Sequence, residues 1–257
     1  MGGNSDIELI KNGKRLDGRA ANQLREISIE VGVLKNADGS CLLKWGKNIV
    51  LAGVFGPREC FPKHTQDPLK AKLFYRYNMA PFSTEDRKRP GPDRRSTEIS
   101  KVSREALERV MMLEYFPKTE IDVFVEVLQA GAGTRCAALT AASVAVADAG
   151  IPMKDLVACC AAGKINDTIV LDLEKAEDNF GQADLPIGYV PSTKEVVLLQ
   201  MDGNLSKDEF DKAFEMAVGG CIEVYELQRK ALKDRYKSVA EEVYEEAEAG
   251  DDHQTGE

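Results

Sequence analysis

From Glu120 to Gln129 the sequence EIDVFVEVLQ alternates apolar and polar residues, the period of a strand with one buried face. It runs without a linker into AGAGTRCAALTAASVAVADAG, where two glycines and a Thr-Arg pair open a run of small residues. That run reads as a helix from Thr134 to Ala149, stopped by Gly150 with Pro152 beyond it. A strand that becomes a helix through Gly131-Ala132-Gly133 offers free backbone N–H groups and the positive end of a helix dipole at one point. Thr134 adds a hydroxyl donor, and Arg135 can form a two-pronged contact with a phosphate. The lysine of the common nucleotide-binding loop is missing, so the anion expected there is open. The plain alternative is a tight turn with Arg135 in solvent. An arginine in the first helical turn opposes the dipole, however, which argues for an anion that compensates it.

The flanking pattern places this unit within a mixed architecture. REISIEVG, CLLKWG and NIVLAGVFG, separated by turn signals at Asp38-Gly39 and Lys47-Asn48, predict an antiparallel meander. In KAKLFYRYNMA, Lys70, Lys72, Phe74 and Arg76 share one strand face and Leu73, Tyr75, Tyr77 and Met79 the other. Ser96 to Tyr115 reads as a helix with an apolar stripe through Ile99, Val102, Ala106, Leu107, Val110 and Met111. Beyond residue 150 come a strand from Leu156 to Gly163, a hairpin at Asn166-Asp167 and a strand from Thr168 to Asp172. A long acidic loop, the strand EVVLLQMDG and an amphipathic helix capped by Ser206 and Glu209 follow. Strands precede helices in both halves, which predicts an α+β fold.

Composition removes several kinds of chemistry. Six cysteines include no C-x-x-C pair and sit mostly in apolar surroundings, as small hydrophobes do. Two histidines, His64 and His253, argue against a histidine metal centre or a Ser-His-Asp triad. No apolar run approaches the ~20 residues of a membrane span, and the N-terminus lacks a signal-peptide core, so a cytoplasmic protein is expected. The net charge of −9 is concentrated at the end: Glu241 to Glu257 holds eight acidic residues and no lysine or arginine. The nearly neutral remainder leaves room for a local basic patch and a polyanionic partner.

Two further clusters bear on that partner. Arg87-Lys88-Arg89 and Arg94-Arg95 put five cations into one proline-containing loop, beside a strand with Phe74, Tyr75 and Tyr77. Such a loop is either solvated or a grip on single-stranded nucleic acid by phosphate pairing and stacking. LDLEKAEDNFGQADLP carries Asp172, Glu174, Glu177, Asp178 and Asp184, either a solvated acidic loop or a site for Mg²⁺. An anion cradle, a cationic loop and carboxylates, with no evident protein nucleophile, suit phosphoryl or nucleotidyl transfer.

Together these stretches resemble the phosphorolytic RNase PH-like exoribonucleases, over nearly the whole chain. Within that family MAPFSTEDRKRPGPDRRSTEISKVSREALE, QAGAGTRCAALTAASVAVADAGIPM and LDLEKAEDNFGQADLP look most like the catalytic subunits of archaeal exosomes. The resemblance implies the RNase PH fold, similar to ribosomal protein S5 domain 2, with two βαβα-like halves of mixed sheets and packed helices. It divides the chain into an N-terminal extension (1–14), a first domain (15–150) and a second domain (151–236). Residues 237–257 are expected to be an acidic, disordered tail.

The activity implied is phosphate-dependent removal of nucleotides from an RNA 3′ end as nucleoside diphosphates, with the reverse reaction adding tails. Residue by residue, the resemblance assigns inorganic phosphate to Arg95, Gly133, Thr134 and Arg135. It assigns RNA contacts to Lys63, Arg87, Arg89, Arg94 and Arg95. Asp178 and Asp184 become the catalytic pair, holding Mg²⁺ or Mn²⁺ or, in the case of Asp178, protonating the leaving oxygen. The implied partners are a catalytically silent homologue, three such heterodimers in a hexameric ring, and RNA-binding cap subunits. A bacterial-type RNase PH trimming tRNA ends and a non-catalytic RNA-binding ring subunit remain the alternatives.

Overall fold

A computed structural model describes residues 9–11 and 14–251. Strands β1 (Ile10–Lys11) and β2 (Lys14–Arg15) form a small hairpin, and Leu9 beside it packs against Ile165, Val170 and Leu173. The first half then contributes β3 (Ile27–Val31), β4 (Gly39–Trp45), β5 (Asn48–Glu59), β6 (Lys72–Met79), α1 (Arg94–Val110), β7 (Thr119–Gln129) and α2 (Thr134–Asp148). Its strands lie in the order β3-β4-β5-β7-β6. The meander pairs antiparallel as expected, whereas β6 pairs β7 in parallel, with α1 in the connection that parallel pairing requires.

The second half supplies β8 (Ala158–Ile165), β9 (Thr168–Leu171), α3 (Lys175–Phe180), β10 (Ala183–Val190), β11 (Glu195–Leu199), β12 (Asp202–Gly203) and α4 (Lys207–Asp251). Its sheet runs β11-β10-β8-β9, with β12 also on β10. Helix α2 lies between the two sheets, against β4, β5 and β7 on one side and β8 and β10 on the other. Twelve of its fifteen residues are buried. This explains the run of small residues: a helix wrapped by sheets on both sides has no wet face, and Ala, Ser, Thr and Cys allow close approach.

Four expectations change. The loop predicted between Asp172 and Pro186 is in fact helix α3 followed by interior strand β10. Pro186 disguised that strand, because proline removes a ladder donor and usually argues against an interior position. Here Pro186 pairs with Ala161, and its carbonyl still accepts from Gln200 N at 3.2 Å.

Helix α1 begins two residues earlier than predicted because Asp93 caps it, accepting from Ser96 N at 2.6 Å while Ser96 Oγ accepts from Asp93 N at 2.8 Å. Such a cap contributes about 1 kcal/mol and puts Arg94 and Arg95 in the first helical turn. The same helix ends at Val110, and Leu113–Tyr115 forms a separate short turn. Finally, α4 continues through Asp251, so residues 237–251 of the stretch expected to be disordered are helical, in keeping with their many Ala and Glu. Residues 252–257 lie outside the described residues, as do 1–8, 12 and 13 of the N-terminal extension. All six cysteines are free and buried, and among the described residues no helix is long and apolar enough to cross a membrane.

Candidate active site

The turn between β7 and α2 adopts a conformation few sequences tolerate. Ala132 and Gly133 have φ of 77° and 66°, in the left-handed region. Glycine takes that conformation freely, whereas alanine pays roughly 1–2 kcal/mol. A Cβ on Gly131 would lie 2.7 Å from Lys47 Cβ, so the hairpin behind the turn admits only glycine there. Gly133 gives α2 no side-chain cap. The backbone N–H groups of Ala132, Gly133, Thr134 and Arg135 find no acceptor among the described residues, which makes the turn an anion-binding concavity.

Helices α1 and α2 start side by side. Arg135 Nη2 donates to Glu98 Oε2 at 2.8 Å, and Glu98 Oε1 accepts from Gln200 Nε2 at 2.5 Å. Arg135 Nε is buried without a partner among the described residues, a donor that a phosphate oxygen would satisfy. Thr134 is nearly buried, and its Oγ1 accepts from the Tyr77 hydroxyl at 2.9 Å. Its own proton therefore remains to be donated.

Arg95 and Arg135, with Glu98 between them, form one wall of a cleft of about 310 Å³. The other wall comes from the second half: Asp178 on α3, Asp184 and Pro186 on β10, then Gln200, Met201 and Asp202. Burial raises the Asp178 carboxyl above its ordinary value, against the pull of Arg95 and Arg25. Asp184 is pushed up to about 7, first by burial and then by the charge of Asp178, with Arg135 and Arg95 opposing. Asp202, paired with Asp184 across β10 and β12, adds to the same repulsion. Two hard carboxylates whose charges are disfavoured by burial and by each other suit Mg²⁺ or Mn²⁺, which requires only one or two carboxylates beside substrate oxygens.

The other acids of that segment do different work. Asp172 is 3 % exposed and receives Arg25 Nε and Nη2 at 2.9 and 2.6 Å and the Trp45 indole N–H at 2.9 Å. Burial opposes its charge, but the Arg25 hydrogen bonds prevail and hold the carboxyl below its usual range. Glu177 is buried against Arg15, and Glu174 pairs with Lys47 at 2.6 Å. Of five candidate metal-binding acids, only Asp178 and Asp184 face the cleft.

The basic residues separate similarly. Arg95 lines the cleft, while Arg89 and Lys88 line a neighbouring hollow that Arg95 shares. Arg87 and Arg94 are exposed and outside the cleft lining. Tyr75 and Tyr77 belong to the core, leaving Phe74 as the exposed aromatic of that strand. Lys63 lies in the connection after β5, paired with Glu59 at 3.3 Å. Glu59 pairs with Thr119 at the start of β7, whereas the glycine turn follows its end, so strand rise separates them by about 30 Å. Lys63 is therefore not part of the cleft.

Sequence reasoning passed over Arg25, Asn48, Glu98, Gln200 and Asp202. Glu98, one helical turn after Arg95, carried a usable signal, because residues three apart share a helix face. The others come from strands and connections distant in sequence and had none.

Residues 23–152 match the 3′ exoribonuclease family, domain 1, and residues 155–220 match its domain 2. The chain belongs to the 3′ exoribonuclease (RNase PH) family. It is 61 % identical over 244 residues to the exosome complex component Rrp41 of Thermococcus onnurineus, covering 95 % of this chain and 98 % of that protein. The Rrp41 of Archaeoglobus fulgidus is 56 % identical over 248 residues, covering 95 % and 96 %.

Among solved structures, rice Rrp46 superposes with a TM-score of 0.77 at 25 % identity, covering 85 % of this chain and all of that one. A chain of the Archaeoglobus fulgidus exosome with RNA bound to the active site superposes with a TM-score of 0.73 at 22 % identity, covering 84 % and 92 %. The two likenesses agree with the RNase PH fold: two sheets, with α2 between them. In this family member the glycine turn and the arginines come from the part matching domain 1, and Asp178 and Asp184 from the part matching domain 2.

Proposed function

We propose that this chain is the catalytic subunit of an exosome and acts as a phosphate-dependent 3′→5′ exoribonuclease. One observation carries the reading: the cleft sets Arg95 and Arg135 against Asp178 and Asp184, and its lining contains no Ser, Thr, Cys, His or Lys. Such a site can take its nucleophile from solution, and inorganic phosphate is the one that its arginines and free turn amides suit. An oxygen of that phosphate attacks the phosphorus of the terminal phosphodiester. The bond to the 3′ oxygen breaks, its electron pair stays on that oxygen, and the oxygen takes up a proton. The products are a nucleoside diphosphate and an RNA one residue shorter.

Arg135 and the amides of the turn hold the attacking phosphate, and Arg95 offsets the charge of the second phosphate group. The half-buried carboxyl pair retains a proton near neutrality, because Asp184 titrates near 7, and can release it to the leaving oxygen. Alternatively, with both carboxyls ionised, Mg²⁺ or Mn²⁺ held by Asp178 and Asp184 would supply positive charge at the scissile group in place of that proton. Because the acceptor is phosphate, the chemistry is nucleotidyl transfer rather than hydrolysis, and it can run backwards to add tails from nucleoside diphosphates.

Identity of 61 % to a protein named as an exosome component favours this reading over a tRNA-trimming enzyme that works alone. The carboxyl pair favours it over a silent RNA-binding subunit. The same reading includes a heterodimer with a silent homologue, a hexameric ring of three such pairs, RNA-binding caps, a cytoplasmic location, and RNA contacts by Lys63, Arg87, Arg89 and Arg94.

The test mixes this chain with its ring partner and a short poly(A) RNA, with and without phosphate. Nucleoside diphosphates released only with phosphate are expected. Nucleoside monophosphates, or indifference to phosphate, would overturn the phosphorolytic reading. Full activity of this chain alone as a homo-hexamer would favour the bacterial-type enzyme.

A further inference from the structure

The glycine turn is held from behind by residues that never reach the cleft. Asn48, fully buried at the start of β5, accepts from Gly131 N at 2.6 Å through Oδ1 and donates Nδ2 to the Ala132 carbonyl at 2.5 Å. Arg25 donates Nη1 to the Gly131 carbonyl at 2.8 Å. The remaining guanidinium nitrogens of Arg25 are fixed by Asp172, which Trp45 holds in turn. Asp172 directly precedes the segment that folds into α3 and bears Asp178. One buried network thus joins the strained turn of the first half to the acidic wall of the second.

We propose that Asn48 and Arg25 are positioning residues for the attacking phosphate, clamping the turn in the left-handed form whose amides receive it, with Asp172 anchoring the clamp. The proposal rests on the phosphate-dependent reading above. Ala132 at φ 77° opposes its own conformation, so an unclamped turn relaxes away from the form that binds. Apparent affinity for phosphate falls by the fraction of turns remaining competent, and saturating phosphate restores the competent form. Losing the clamp should therefore raise KM for phosphate and spare kcat. A side chain that merely stabilised the fold would lower the active fraction, hence kcat, and leave KM alone.

The experiment measures phosphorolysis in the ring assembled with its partner. For Asn48→Ala, KM for phosphate should rise roughly 10-fold, with kcat within about threefold and RNA affinity without phosphate unchanged. Adding Ala132→Gly to Asn48→Ala should recover part of the loss, since glycine takes a positive φ without steric cost. Asn48→Ser, which can keep one of the two hydrogen bonds, provides a milder variant should the alanine protein not fold, with an intermediate KM expected. An unchanged KM in folded Asn48 variants of a phosphate-dependent enzyme overturns the proposal. So does a loss confined to kcat, or no recovery on Ala132→Gly. A wild-type enzyme indifferent to phosphate would instead defeat the phosphorolytic reading on which the proposal stands.

Discussion

Asp172 and Glu177 lie within a few residues of Asp178 and Asp184, yet the protein treats the two pairs in opposite ways. The first pair is buried and neutralised: Asp172 receives Arg25 and Trp45, and Glu177 receives Arg15 through two of its guanidinium nitrogens. The second pair is half-buried, close together, and has arginines only across an open cleft, so its carboxyls are raised. A buried charge with a bonded partner belongs to the architecture. A carboxyl left short of its counter-charge keeps a free-energy cost that substrate or cation can relieve, and that separates working acids from structural ones.

Substitution should separate the pairs by kind of effect as well as by size. The largest effect belongs to Asp178→Ala, with phosphorolysis expected to fall ~10³-fold or more while RNA binding, measured by fluorescence anisotropy, stays within a few-fold. Loss of RNA binding along with turnover would move Asp178 from chemistry to recognition. Next comes Glu177→Ala, which strands the buried Arg15. Removing one partner of a buried ion pair costs about 3–5 kcal/mol, so calorimetry should show a Tm lower by roughly 10 °C. An unchanged Tm would erase the distinction between the pairs.

The smallest effect concerns pH. A carboxyl raised from 3.8 to about 7 binds more protons folded than unfolded between those values, so its contribution to stability falls as pH rises through that window. Asp184→Asn carries no such cost. In metal-free buffer it should match wild type near pH 4 and exceed its Tm by about 3 °C or more at pH 8, despite being inactive. A variant less stable than wild type at pH 8 would show that Asp184 is a structural acid.

How much of this was legible in the sequence varied with how local each feature is. The strand running into the glycine turn and α2 was readable because period, glycines and helix stop follow one another within thirty residues. The alternation of Lys72–Met79 was equally plain, and the structure buries the face of Leu73, Tyr75 and Tyr77. The acidic segment was read as one loop because Pro186 disguised an interior strand. Three of its five acids were taken for candidate ligands because nothing nearby announces Arg15, Arg25 or Lys47 as their partners. The five cations of the basic loop did not by themselves separate Arg95 from Arg94, which only the family resemblance did; the Asp93 cap sets the helical phase that puts Arg95 in the cleft lining.

The linear chain by itself determined the α+β class, the helix that two sheets enclose, an anion-seeking turn, and a reaction without a protein nucleophile. These follow from periodicity and residue chemistry, which act over short spans. Only the tertiary structure decided which acids keep their charge unpaired, which arginines oppose them, and how Asn48 and Arg25 brace the turn. Each of those outcomes depends on desolvation and on partners more than forty residues apart, set where the two halves close around α2.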